Sequence, residues 1–356
     1  MARKLNRNLT AAQKSTYTNF FTYGVVILIY LVMQGMIVSG SITSSLKGML
    51  IPICAYIVMA ISLNLTVGIL GELSLGHAGF MSMGAFTGVT AAIALQDIVT
   101  SNGLRLAIGL VVGAIFAAIA GFLIGIPVLR LKGDYLAIVT LAFGEIIKSI
   151  FNNLYVGVDE KGLQMSMLTD KTKLAESGKL IIGGPMGIGG IQKISTFTAG
   201  FLLVMITLVI VFNLVNSRAG RAIMAIRDNR IAAESVGLNV TKYKMMAFVT
   251  SAALAGAAGA LFAMNYSTIV ANKFDFNTSI LILVFVVLGG LGNMLGSIVA
   301  ATALTILPEA LRQFSDYRML VYAIVLILVM LFTNNPKLKA IFNQVKTHNM
   351  RGKESE

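Results

Sequence analysis

The residue types that carry chemistry are scarce in this chain. Its 356 residues include two histidines, one cysteine and 15 acidic side chains. Cys54 and His77 both stand inside apolar runs, so no zinc site, haem site or disulfide framework can be assembled from them. The strings "GEIIKS" (Gly144–Ser149) and "GGLGNMLG" (Gly289–Gly296) are not phosphate loops. The first lacks its second glycine and the GK[ST] ending, and the second lacks GxGxxG spacing. No HExxH or GxSxG pattern occurs. The expectation is a chain that is not an enzyme, binds no metal and holds no cofactor of its own.

What remains is a small set of polar groups in apolar surroundings. Glu145 and Lys148 stand at i, i+3 in "LAFGEIIKSIF" and can pair on one helix face. Ionisable groups at membrane depth are expensive and face a partner or a polar interior. Glu145 is therefore either half of a tie or part of a translocation wall. His77 is either a proton-coupling group or, having no relay of acids, a hydrogen-bonding packing residue. Gly71, Gly76 and Gly79, with Ser74 among them, can interrupt a helix and free backbone groups for a polar substrate. Gly289, Gly290 and Gly292 offer a second interruption of the same kind.

The elements that must position these groups are built for lipid. The chain is 56% hydrophobic and 12% charged, where a soluble domain carries about 25% charged residues. Stretches 48–71, 73–96, 106–129, 197–216, 245–272 and 276–308 contain no Asp, Glu, Lys or Arg. Each supplies the ~20 residues that a helix needs to cross hydrocarbon. The fold class expected is all-α, a polytopic integral membrane protein with about ten helices and both termini cytoplasmic. Its spans are placed at 20–39, 48–69, 74–95, 105–128, 135–153, 197–216, 245–265, 277–288, 293–308 and 318–333.

Charge orients them. The net charge of +13 fits basic cytoplasmic loops rather than nucleic-acid binding. Basic residues gather in 1–19, Arg130–Asp134, Ser217–Lys244 and beyond Asn334, which are read as cytoplasmic, whereas 155–196 is nearly balanced and read as external. The organisation expected is a basic N-terminal segment with a retained first span (1–45), a transmembrane body (46–333) and a basic tail (334–356). "GILGELSLGHAGFMSMGAF" from Gly68 and "LGGLGNMLGSIVAATAL" from Leu288 each place a Gly-rich break between apolar stretches. They are either an internal repeat or a chance likeness of Gly-rich segments. GxxxG spacings at Gly84/Gly88, Gly109/Gly113, Gly121/Gly125 and Gly292/Gly296 are assigned to close helix packing.

One stretch departs from this pattern. "SRAGRAIMAIRDNRIAAESVGLNVTKYK" (Ser217–Lys244) is charged and helix-forming between two apolar runs. Ala222–Val236 reads as one amphipathic helix, with Ile223, Ile226, Ile231 and Val236 apolar and Arg221, Arg227, Asp228, Arg230 and Glu234 wet. Gly237 is placed to end it. It is either a solvated loop helix or a helix that docks a soluble partner. "IAAESVG" (Ile231–Gly237) resembles the EAA loop of ABC importer permeases: Ala232, Ala233 and Gly237 match, Ile231 replaces the usual Glu, and the downstream Pro is missing. "LSLGHAGFMSMGAF", "LKGDYLAIVTLAFGEIIK", "GGPMGI", "GRAIMAIRDNRIAAESVGLNV" and "LGGLGNMLGSIVAA" resemble, in order over roughly 48–330, the branched-chain amino acid permeases of LivM type.

The resemblance implies one membrane subunit of an ATP-driven importer for leucine, isoleucine and valine in a bacterial plasma (inner) membrane. Its implied partners are a sister permease of LivH type, two ABC ATPases of LivG and LivF type that use ATP and Mg, an extracytoplasmic amino-acid-binding protein, and membrane lipid. Arg221, Ala222, Ile226, Arg227, Ile231, Ala232, Ala233 and Gly237 would then form the ATPase-docking surface. The rivals are a sugar, urea or nucleoside permease of the same superfamily, an ion-coupled secondary transporter, which would need more acidic spans, and an ion channel.

Overall fold

The computed structural model describes residues 11–96, 98–131, 133–159, 162–167 and 179–311, together with 320, 323–324 and 327. The tail and, apart from those four positions, the expected span 318–333 lie outside the described residues. The chain divides into two compact units, 1–301 and 302–356. In the second, the described residues carry the last helix on to Ala310.

Helix α1 (Ala11–Val38) is followed by α2 (Ser44–Asn64), which runs on into a π-helical turn, Leu65–Leu70. Next come α3 (His77–Ala94), α4 (Asn102–Val128) and α5 (Asp134–Asn153). Three strands follow, β1 (Leu154–Asp159), β2 (Gly162–Met167) and β3 (Lys179–Gly183). Then α6 (Phe197–Asn216), the short α7 (Arg218–Asp228) and α8 (Arg230–Ser235), and α9 (Val240–Ala263). A 3-10 turn, Ala271–Phe274, leads into α10 (Phe276–Gly289), and α11 (Met294–Ala310) ends the described series. Among the described residues, five helices are long and apolar enough to cross a membrane: Asn19–Val38, Ser44–Leu70, Asn102–Val128, Phe197–Asn216 and Val240–Ala263.

The heart of the first unit is the trio α3, α4 and α9, with α2 against α9. Contacts between apolar helices gain nothing from the hydrophobic effect in lipid, so close backbone approach must hold them together. Glycines provide it. A Cβ added to Gly88 would stand 2.6 Å from the Gly109 carbonyl oxygen, and one on Gly256 would stand 2.5 Å from that of Gly113. These pairings run α4 antiparallel to α3 and to α9, and they match the GxxxG expectation at 84/88 and 109/113. The Gly292/Gly296 spacing does not serve that purpose: an added Cβ on Gly296 would meet the Gly289 carbonyl, across a turn of the same chain. Helix α2 is central, with 89% of its apolar window buried, while α1 has 6% buried and leaves its sides to lipid or a partner.

The fold is mostly helical but not all-α. The segment after α5 forms a three-stranded antiparallel sheet in the order β2-β1-β3. Val156 pairs with Met165 and with Ile182. Leu154 and Val156 are buried while Tyr155 between them is partly exposed, which is the two-residue period of a strand. Only segments exposed to hydrocarbon must close their hydrogen bonds within one helix. Isolated bridges from Ile188 to Ile182 and to Ile269 fasten the following loop to the chain beyond α9.

Candidate functional site

The first helix break falls where the glycines suggest. The π-helical turn ends at Gly71, whose φ of 80° is the left-handed conformation that a Cβ penalises. Residues 71–76 are not helical, and α3 starts at His77 rather than at 74. Gly79 lies inside α3 and takes no part in the break; it marks a close approach to Gly144 of α5. The chain re-enters the bundle, because the buried His77 ring (Nε2) lies 2.8 Å from Ser62 Oγ, well back along α2. Ser251 Oγ of α9 donates to the Ser62 carbonyl (2.5 Å) and receives a bond from Thr66 Oγ1 (2.8 Å). His77 thus sits in a packed hydroxyl network. Ser74 is buried, and its hydroxyl has no hydrogen-bond partner in the structure.

Two helix N-termini meet here. The Ala78 amide, in the first turn of α3, donates to Ser279 Oγ in the first turn of α10 (3.1 Å). Asp275 caps α10, accepting from the Thr278 amide at 3.0 Å. On the α5 side, Thr140 Oγ1 accepts from the Leu75 amide at 3.1 Å. Leu75, Gly79, Gly144, Glu145, Asp275 and Ser279 line a cleft between these elements that leaves no room for even a water-sized molecule. Glu145 pairs with Lys148 on the same helix, and α5 turns this pair to the edge of the cleft, with 43% of the Glu145 side chain exposed.

The second break is a pair of helices, as expected, with Gly290 (φ 93°) and Gly292 (φ 80°) between α10 and α11. It does not join Glu145. It sits against the π-helical turn: Asn64 Oδ1 accepts from the Gly292 amide and Asn64 Nδ2 donates to Ser297 Oγ, both at 2.8 Å. Gly68 has no room for a Cβ because Asn64 and the Gly292 backbone occupy that space, and Gly289 closes on Ser297 in the same way.

The cassette is two helices instead of the single one expected over Ala222–Val236. Asn229 breaks it with extended backbone (φ −153°, ψ 102°), and its side chain caps α8 by accepting from the Ala232 amide at 3.0 Å. An Asn side chain competes with the helical backbone in this way, and favours caps over helix interiors. The break re-sorts the apolar residues. Ile226, Ala233 and Val240 form a small core with Leu238 and Tyr243 against it. Ala222 and Ile223 are buried too. Ile231 (79% exposed) and Val236 (75%) stand out in the open, with Arg221, Ala232 and Gly237 also exposed. Thus Ala222, Ile226 and Ala233 face their own chain, and Ile231, Ala232 and Val236 are what α8 offers outward. Gly237 has φ 83°, the left-handed exit its position suggested.

Arg227 points inward. Its Nη1 donates to the Gly68 carbonyl (3.0 Å), while Nε and Nη2 hold Asp228. Its aliphatic stem covers Gly71. Lys244, buried in the first turns of α9, is paired with Glu72. Sequence reasoning missed Lys244, Asn64, Ser62, Thr66, Ser251, Ser279 and Asp275. Most were visible as polar residues isolated in apolar runs, but their partners lie up to 233 positions away in the chain.

Comparison with known proteins gives this geometry a context. Residues 45–330 match the family described as "Branched-chain amino acid transport system / permease component". The chain is 35% identical to the high-affinity branched-chain amino acid transport system permease protein LivM of Salmonella typhimurium over 308 residues, 82% of this chain and 71% of that one. The Escherichia coli LivM is also 35% identical, over 304 residues covering 83% and 70% of the two chains. The fructose import permease protein FruG of Bifidobacterium longum is 25% identical over 82% of each chain. No solved structure matches. The re-entrant helix breaks, the Gly-packed apolar bundle and the cassette between α6 and α9 therefore belong to a multi-pass membrane protein, and the chain is a member of the branched-chain amino acid transport system permease family.

Proposed function

We propose that this chain is one of two membrane subunits of an ATP-driven importer that takes up leucine, isoleucine and valine across a bacterial inner membrane. A sister permease would complete the path, two ABC ATPases would dock on 217–244, and an external binding protein would deliver substrate near the β-sheet. The chain itself carries out no bond chemistry; ATP and Mg would be used by the ATPases. The observation that carries this reading is the cassette: Ile231 and Val236 are exposed on a short helix whose inner face is locked to its own chain. Two large apolar side chains beside Arg230 and Glu234, which pair at 3.0 Å, suit a partner's groove with a charged rim.

For the path, the reading rests on the cleft where the N-termini of α3 and α10 meet. Helix N-termini favour a carboxylate, and the Glu145–Lys148 pair at the edge of the cleft offers further polar contacts to a zwitterion. A charged pair at membrane depth is unstable against lipid, which puts the exposed side of α5 toward the sister subunit. In this closed conformation, passage requires the breaks to move. Gly71, Gly76 and His77 belong to the first break, and Gly289, Gly290 and Gly292 to the second.

The test of docking is Ile231→Asp. Full burial of an isoleucine contributes about 1.5–3 kcal/mol, and each 1.4 kcal/mol is about tenfold in affinity. ATPase recovery on the tagged permease should fall at least tenfold while membrane expression is unchanged. Unchanged recovery would remove the docking face. A second substrate reading, a sugar, is favoured by the similarity to FruG over 82% of both chains; competition of leucine uptake by fructose would reveal it.

A further inference from the structure

The cassette and the first helix break are joined in a way that packing does not require. The small core of Ile226, Ala233 and Val240 makes α7, α8 and the start of α9 one body. From one end of that body Arg227 reaches the Gly68 carbonyl at 3.0 Å. From the other, Lys244 pairs with Glu72, and the two side chains are only 6% and 14% exposed. The stretch 68–72, the end of the π-helical turn and the start of the break, is therefore gripped from both sides by the element proposed to carry the ATPases.

The grip falls where the backbone is least self-sufficient. The π-helical turn ends abruptly at Gly71, and the amides of Gly71 and Glu72 both go to the Thr66 carbonyl. A helix terminus leaves its last carbonyls without intrahelical partners, and the Gly68 carbonyl is one of these, taken by Arg227. The absence of a Cβ on Gly71 lets the Arg227 stem lie across it: an added Cβ would stand 2.5 Å from Arg227 Cγ. Beyond the grip, the same turn is bonded onward. Asn64 holds the Gly292 amide and Ser297, and Thr66 holds Ser251. Residues 64–72 thus lead directly into the first break and are hydrogen-bonded to the second.

We propose that Arg227 and the Lys244–Glu72 pair are positioning residues for transport: they convert displacement of the docked cassette into displacement of the 64–72 turn, and through Asn64 into the 290–297 break. Arg227 is in this role a transmission residue and not a docking contact. Packing of α7 against the turn would push it in one direction only; a hydrogen bond and a buried ion pair also pull, which a cycle that returns to its starting state needs. The proposal rests on the reading that ATPases dock on the cassette 217–244, and it is separable from docking through the outer face of α8, which is tested by changing Ile231, whereas coupling is tested by changing Arg227.

The experiment uses the complete importer with its binding protein in proteoliposomes, measuring ATP hydrolysis and labelled leucine uptake in the same vesicles, with ATPase recovery on the tagged permease alongside. Arg227→Met keeps the stem over Gly71 and removes the donor. The expected result is normal ATPase recovery, hydrolysis that persists, and leucine taken up per ATP lowered about tenfold, the ratio that one charge-assisted hydrogen bond supports. Glu72→Gln, which keeps the shape of the side chain, should show the same split, and Glu72→Lys with Lys244→Glu should restore part of the yield. Unchanged leucine per ATP in Arg227→Met or in Glu72→Gln would overturn the proposal. Loss of ATPase recovery in Arg227→Met would also overturn it, by making Arg227 a docking contact. If Ile231→Asp retains its ATPases while Arg227→Met uncouples, docking on α8 fails and transmission stands.

Discussion

Gly76→Ala is the smallest change that tests whether the contact between α3 and α5 sets the shape of the first break. Gly76 has φ −97° and ψ 15°, a conformation open to any residue, so an added methyl acts by volume alone. That methyl would stand 2.7 Å from the Thr140 carbonyl carbon and closer still to its oxygen. The obstacle is helix backbone and cannot rotate aside. Overpacking of this kind costs roughly 1–3 kcal/mol. Helix α5 must yield, and it carries Glu145 and Lys148. If the strain is relieved more in one access state than the other, each 1.4 kcal/mol of bias shifts the balance tenfold. Two companions set the scale. Gly144→Ala places its methyl 3.2 Å from Gly76 Cα, and the crowding opposes a gain of about 0.8–1.0 kcal/mol from replacing a mid-helix glycine, so the net change should be near zero. Gly103→Ala has nothing within 4 Å and should be neutral or slightly stabilising. Thermal unfolding of the purified permease and uptake in cells should both rank Gly76→Ala far below Gly144→Ala, and Gly144→Ala at or below Gly103→Ala. Equal behaviour of Gly76→Ala and Gly103→Ala would refute the reasoning.

The cassette yields two further expectations. Asn229→Ala removes the cap on α8 and should cost about 0.5–2 kcal/mol locally, seen as faster amide exchange over 230–235 and weaker ATPase recovery, with the spans still inserted. Gly237→Ala meets no neighbouring atom, so its cost is backbone strain at φ 83°, about 1 kcal/mol; Gly237→Asn should cost less, because Asn tolerates the left-handed region.

The apolar helices were legible in the sequence because a helix that crosses hydrocarbon needs about 20 predominantly apolar residues, and stretches such as 48–71 and 106–129 meet that need without a single charge. The breaks were legible too, since Gly71, Gly290 and Gly292 stand where an apolar helix would not choose glycine. Three features were hidden for physical reasons. The sheet of 154–183 lies in a polar, Gly-rich segment whose two-residue period is carried by only a few side chains, such as Leu154 and Val156. The division of the cassette depends on Asn229, whose side chain could equally have pointed to water within one continuous helix; only tertiary contacts of Ile226 and Ala233 with Val240 decide it, and they reverse which apolar residues face outward. The Lys244–Glu72 pair joins residues 172 positions apart, and nothing in the local sequence around either one names the other. Nor did the two breaks come together as one path-lining set: Gly76 turns to Thr140 of α5 and His77 to Ser62 of α2, while Gly292 turns to Asn64.

The most direct measurement of the central claim is leucine uptake by proteoliposomes holding this chain and its sister permease, with binding protein outside, with and without the ATPases and ATP inside. The account predicts uptake only when ATPases and ATP are both present, and its loss when Ile231→Asp prevents docking. Uptake of leucine driven by a proton or sodium gradient, without ATPases or ATP, would contradict it.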